Sequence, residues 1–188
     1  MAAAAPTARA TGLAALLSVV VALTPYGAAR AQSPSIEYAV KAAYLYKFAP
    51  FVEWPPTAFA SASSPFQLCV LGRDPFGASL DQAVSGQRMG EHRVVVRRLD
   101  RVDAASGCHV LYLGASPNQT TAEALRAVRG SPILTVADSD REGGAIIKFV
   151  VKDNRVRFDI DTAAAAVNHV TISSKLLGLA MSVRAGAS

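Results

Sequence analysis

Few residues in this chain have the types and spacing that chemistry requires. Cys69 and Cys108 are its two thiols, and His92, His109 and His169 its three imidazoles. Cys108-His109 would suggest a thiol nucleophile beside its base. Neighbouring residues on a strand point to opposite faces, however, so His109 is badly placed to activate Cys108. None of the histidines has a second ligand type two to four residues away, so zinc-site spacing is missing and no metal is expected. Asp138, Asp140 and Glu142 cluster after an apolar run, where spaced carboxylates serve to hold a cation or to move protons. Nothing completes a phosphoryl-transfer set around them, and a solvated acidic loop is the better reading; Asp138 and Asp140 are retained as candidate contacts. Gly72-Arg73-Asp74-Pro75-Phe76-Gly77 sits where a phosphate loop would lie, but it lacks the G-x-G-x-x-G spacing and Pro75 removes an amide. It reads as a strand–helix turn. Its place at the carboxyl end of a strand keeps Asp74, Phe76 and Gly77 as candidate ligand or partner contacts. Trp54, the single tryptophan, either closes the core below the first helix or anchors a partner. No cofactor is expected.

The elements that position these residues follow from periodicity. Ile36, Val40, Ala43, Tyr44 and Phe48 recur at three- and four-residue spacing, which predicts a helix over Ile36 to Phe51, capped by Ser33 or Ser35 and disturbed by Pro50. Phe66–Gly72, Val94–Leu99, Cys108–Leu113 and Ile133–Ala137 are short apolar runs and read as strands. Asp74 with Pro75 is expected to open a helix running through Val84. Thr120 or Thr121 should open another, to about Arg129, and Ser85–His92 reads as a loop. The strand–helix alternation predicts an α/β, Rossmann-like three-layer sandwich with a mostly parallel sheet. Ala145–Val151 and Arg155–Ile160 face each other across Lys152-Asp153-Asn154, a C-terminal antiparallel hairpin that extends the sheet. A last helix is expected over Ser173 to Val183.

Composition bounds the cellular setting. Arg9 precedes an apolar run, Leu13–Leu23, followed by Pro25 and by Ala29-Arg30-Ala31. This is the layout of a secretory signal with cleavage between Ala31 and Gln32, and the run is too short to span a bilayer. Residues 1–31 are therefore expected to leave, and residues 32–188 to form a single domain. The formal charge of +5 falls to +3 when Arg9 and Arg30 are removed, and no basic run beyond Arg97-Arg98 remains, so nucleic acid is not an expected partner. Two cysteines in an exported chain allow one pairing; the alternative is two buried free thiols, and the oxidising compartment favours the bridge. An exported α/β domain without an assembled catalytic set points to binding or regulation rather than to an enzyme.

At this stage the sequence resembles a known family. Lys41-Ala42-Ala43-Tyr44-Leu45-Tyr46-Lys47-Phe48, running on to Phe51-Val52-Glu53-Trp54-Pro55, is similar to the opening signature of YfiR-like periplasmic proteins. Cys69–Gly77, Gly107–Tyr112, Leu134–Val136, Gly143-Gly144, Val156–Phe158 and Ile172–Leu177 match further signatures in order. The resemblance implies a Rossmann-like fold and work in the periplasm, often as a homodimer. It also implies binding to the periplasmic sensor domain of an inner-membrane diguanylate cyclase, which is thereby held inactive, and sequestration by an outer-membrane lipoprotein. Cys69 and Cys108 fall at the family's shared cysteine positions; the extra pair that some members carry is missing. A second reading, of a different class, is a periplasmic small-ligand-binding module acting with a sensor kinase or other membrane protein.

Overall fold

The chain alternates strands and helices, as its apolar runs require, in a computed structural model that describes residues 1–4, 36–138 and 144–186. The order is α1 (Ile36–Lys47), β1 (Val52–Glu53), β2 (Phe66–Leu71), α2 (Ala78–Val84), β3 (Arg88–Met89), β4 (His92–Leu99), β5 (Val110–Leu113), α3 (Thr121–Ala127) and β6 (Leu134–Asp138). It continues with β7 (Ile147–Lys152), β8 (Arg155–Asp161), α4 (Thr162–Val167), β9 (Thr171–Ile172), α5 (Ser174–Leu177) and β10 (Ser182–Arg184). The main sheet runs β10-β8-β7-β6-β5-β2-β4-β3. Pairs from β4 through β2, β5 and β6 to β7 are parallel, and β7 with β8 forms the antiparallel hairpin.

The apolar runs are continuous because both faces of the sheet are covered. Leu68, Val70, Val110 and Tyr112 point to one side and pack with Ala42 and Leu45 of α1 and with Leu80 and Val84 of α2. Their alternates Cys69, Leu71, Leu111 and Leu113 point to the other and pack with Ala124 and Val128 in and after α3. The three layers follow directly. The bridge Cys69–Cys108 lies in the second face, with Cα atoms 5.8 Å apart. It forms because β2 and β5 are adjacent and parallel, with Cys69 opposite Leu111. His109, one residue on from Cys108, packs among aromatic rings of the first face.

Several boundaries differ from the sequence expectation, each for a local reason. α1 stops at Lys47, and Ala49–Phe51 forms a separate 3₁₀ turn, since Pro50 has no N–H to continue the α-helix. α2 starts at Ala78, not Asp74, because Gly77 has φ +52° and breaks the helical path. The expected loop before β4 contains β3, which folds back on β4 through Gly90 at φ +58°. The β7–β8 turn uses Asp153 and Asn154, both with positive φ, as a two-residue hairpin demands. α3 carries the capping box Thr120–Glu123. The helix expected over Ser173–Val183 is only α5; the chain then becomes β10, parallel to β8. α4 and the small β1–β9 pair carry no periodic signal of their own. The expected caps Ser33 and Ser35, and Ala31 and Gln32, lie outside the described residues.

Candidate functional site

Buried polar side chains concentrate where α1 crosses the carboxyl ends of the parallel strands. Tyr38, Lys41 and Leu45 lie at helical spacing on one side of α1, and packing of Ala42 and Leu45 into the core carries Lys41 inward with them. Lys41 is 3 % exposed. Its Nζ donates to Asp138 Oδ1 at 2.6 Å and pairs with Glu37 Oε1 at 2.5 Å. Asp138 Oδ2 accepts from the hydroxyls of Tyr112 at 2.7 Å and Tyr38 at 3.1 Å. Tyr112 comes from β5 and Asp138 from the end of β6, so the cluster ties helix to sheet. Asp138 is thus not part of a solvated loop: it is a buried acceptor with three donors, as a buried carboxylate requires. Asp140 and Glu142 lie outside the described residues.

Burial alone would lower the Lys41 pKa, but hydrogen bonds to Asp138 and Glu37, and the charges of both, reverse this and raise it above the ordinary lysine value. A lysine held protonated has no lone pair for attack on a carbonyl or for taking a proton. Burial, followed by the negative charge of Asp138, raises the Tyr38 pKa as well. The cluster is therefore built to hold α1 in one register on the sheet.

The Gly72–Gly77 turn is closed by its own residues. Asp74 Oδ1 accepts from the amides of Phe76 at 2.7 Å and Gly77 at 3.2 Å, the groups an anion would otherwise engage. Asp74 Oδ2 receives Arg98 Nε at 2.7 Å, and Arg98 reaches Asp81 of α2 with both terminal nitrogens, at 3.0 and 2.9 Å. Gly72, at φ +67°, lets the neighbouring loop approach: a Cβ there would stand 2.3 Å from the Ala115 carbonyl oxygen. Phe76 is fully buried, edge-on to Tyr112 at 4.6 Å and to Tyr38 at 5.7 Å. The structure so brings Phe76 and Asp138 together through Tyr38 and Tyr112. Trp54 lies apart, edge-on to Phe66 at 5.2 Å. Tyr38 and Lys41 lie far from Tyr112 and Asp138 in the chain, and no local pattern signals that they meet.

His109 belongs to an aromatic ladder. Its ring stacks on Phe59 at 4.4 Å and on Phe66 at 4.8 Å, and Phe59 stacks in turn on His92 at 4.0 Å. Its Nδ1 accepts the Gln67 amide at 3.0 Å, which requires the neutral ring. Burial pushes its pKa down to about 4, against a partly opposing contact with the Ala58 backbone. An unfolded histidine titrates near pH 6.5, so the unfolded chain takes up this proton first as pH falls. Stability is full above that value, declines as pH drops towards 4 and then levels. The expected loss is on the order of 3 kcal/mol. Urea midpoints measured across this range check it: His109→Phe should flatten the slope, and an unchanged slope would refute the assignment.

A family model described as YfiR/HmsC-like matches residues 38–181. The matched span includes α1 from Tyr38 onward, both bridged cysteines and Asp138.

Proposed function

The chain belongs to the YfiR/HmsC-like family, and from that premise we propose that it is a periplasmic regulator that binds the sensor domain of an inner-membrane diguanylate cyclase and lowers cyclic-di-GMP. The family match over residues 38–181 carries this reading. The export layout of residues 1–31 supports it, and among the described residues no helix is long and apolar enough to cross a membrane. The reading has the signal removed between Ala31 and Gln32 and residues 32–188 acting as one domain, with Cys69–Cys108 stabilising that domain.

Such a regulator works across the bilayer, since the cyclase consumes its nucleotide in the cytoplasm. It acts by favouring one conformation of the sensor, and by no more than its differential affinity for the two states. About 1.4 kcal/mol of that difference shifts the equilibrium tenfold. Deleting the gene should therefore raise cellular cyclic-di-GMP and promote biofilm growth, and the full gene should restore the low level. A gene lacking residues 1–31 should fail to restore it. Unchanged nucleotide on deletion, in cells that normally make the protein, would refute the reading and favour a ligand-binding module.

A further inference from the structure

While one side of α1 is committed to the core, its other side has no cover among the described residues. Ile36 is 86 % exposed and Val40 40 %, and across from them on β7 Val151 is 48 % exposed. Helix and hairpin meet deeper in the core, where Tyr44 packs on Phe149 at 6.2 Å and Phe158 at 6.0 Å, and only their outer rims stand apart. Between them runs a cleft of about 510 Å³ whose walls include Val40 and Tyr44 on one side and Val151 and Val156 on the other. It adjoins an apolar surface along α1 formed by Ala39, Ala43 and Tyr44 and ending at Lys47. Exposed apolar groups gathered along a concavity, rather than scattered singly, mark an interaction surface.

The charges around the cleft select the occupant. Arg155 and Arg157 line it from β8, and Lys47 closes the helix end. None of these three cations is paired with a described carboxylate, and the one acid in the lining, Glu37, shares the single charge of Lys41 with Asp138. The cleft thus has apolar walls and a border on which three cations outnumber one acid. A second copy would bring three more cations to the same place, which like-charge repulsion opposes. A bilayer would engage a flat or protruding apolar surface, while Val40, Tyr44 and Val156 line a recess. A ridge of side chains at three- and four-residue spacing fits such a recess, as in helix-in-groove recognition.

We infer that the α1–hairpin cleft is the docking site for an amphipathic helix of a membrane-protein partner, apolar on one side and flanked by Asp or Glu. This rests on the regulator reading and adds the surface and the partner's chemistry. The test places p-benzoylphenylalanine at Val40, at Val151 and, as a control, at Val167, which lines a separate cleft between α3 and α4. The full gene is expressed in its own cells, and photo-cross-linked peptides are mapped by mass spectrometry. Products from Val40 and Val151 should fall in one acidic amphipathic helix on the periplasmic side of a membrane protein. Arg155→Glu with Arg157→Glu should cut their yield about tenfold. Both positions are solvent-facing, so circular dichroism should show an unchanged fold. Products joining two copies of this chain, lipid adducts alone, no product from either position, or equal yield from Val167 would each overturn the proposal. If the captured helix belongs to a protein without a cyclase domain, the docking site stands and the cyclase reading falls. If a cyclase sensor is captured from Val167 alone, the cyclase reading stands and the docking site falls.

Discussion

Replacing Lys41 with methionine should lower the unfolding free energy by about 3–5 kcal/mol, because it leaves a buried carboxylate without its counter-charge. Asp138 would keep its tyrosine donors, but hydroxyls do not neutralise a charge. Lys41→Met combined with Asp138→Asn should recover much of that loss, since the asparagine oxygen still accepts from Tyr38 and Tyr112 while no charge remains to be compensated. Glu37 lies nearer the surface and can turn to water. The measurement is a double-mutant cycle by urea titration, with an expected coupling of about 2 kcal/mol or more. A single substitution costing under about 1 kcal/mol, or strictly additive effects, would show that the pair is not a buried tie. The pH dependence has a definite sign. The folded pKa of Lys41 is raised, so this contribution is fully present below the ordinary lysine value and is lost only as pH rises through the folded one. Native protein should therefore lose this margin in alkali, whereas Lys41→Met should not.

The second large effect belongs to the bridge. Cys69→Ala with Cys108→Ala should cost about 4 kcal/mol by loop entropy, an upper figure because strain and residual structure reduce it. The sequence separation is 39 residues, and the closed segment carries α2, β3 and β4. Alanine is the better probe than serine: both cysteines are buried, and a hydroxyl there would need a partner it does not have. A cost of this size is a large share of a domain stability of about 5–15 kcal/mol. It should appear as a lower Tm in the double variant and in reduced wild type alike. Equal Tm values for oxidised and reduced protein would remove the bridge from the account of stability.

Both effects act on the same scaffold through different links. The bridge limits the freedom of the unfolded chain between two central strands, whereas the Lys41 cluster fixes α1 on the finished sheet. Because α1 also forms one wall of the docking cleft, loosening its inner side should disturb the cleft as well. Lys41→Met therefore belongs beside Arg155→Glu with Arg157→Glu in any binding series, as the variant that changes the cleft's shape and leaves its border charges in place.

The local rules were sufficient for elements whose signal is local. β2, β5 and β6 were legible as short apolar runs, because a strand covered on both faces needs apolar residues at every position, whereas β4, with Arg97 and Arg98 exposed, was legible from Val94-Val95-Val96 alone. The β7–β8 hairpin was legible from Asp153-Asn154, residues that tolerate positive φ. Thr120 or Thr121 marked a helix start as a side chain able to cap it, and the structure selects Thr120. The pairing of Cys69 with Cys108 followed from there being one way to pair two cysteines in a chain whose opening residues lead one to expect export. Tertiary structure decided the rest. Lys41 meets Asp138 across 97 residues of chain, and no periodicity within α1 or at the end of β6 encodes that meeting. An acid before a polar stretch reads as loop until a partner arrives from elsewhere; burial and three donors then make it part of the core. Leu176 to Val183 carries a weak helical pattern, but the exposed edge of β8 offers Ser182–Arg184 a ladder of backbone hydrogen bonds, and that non-local pairing overrides a marginal helix propensity.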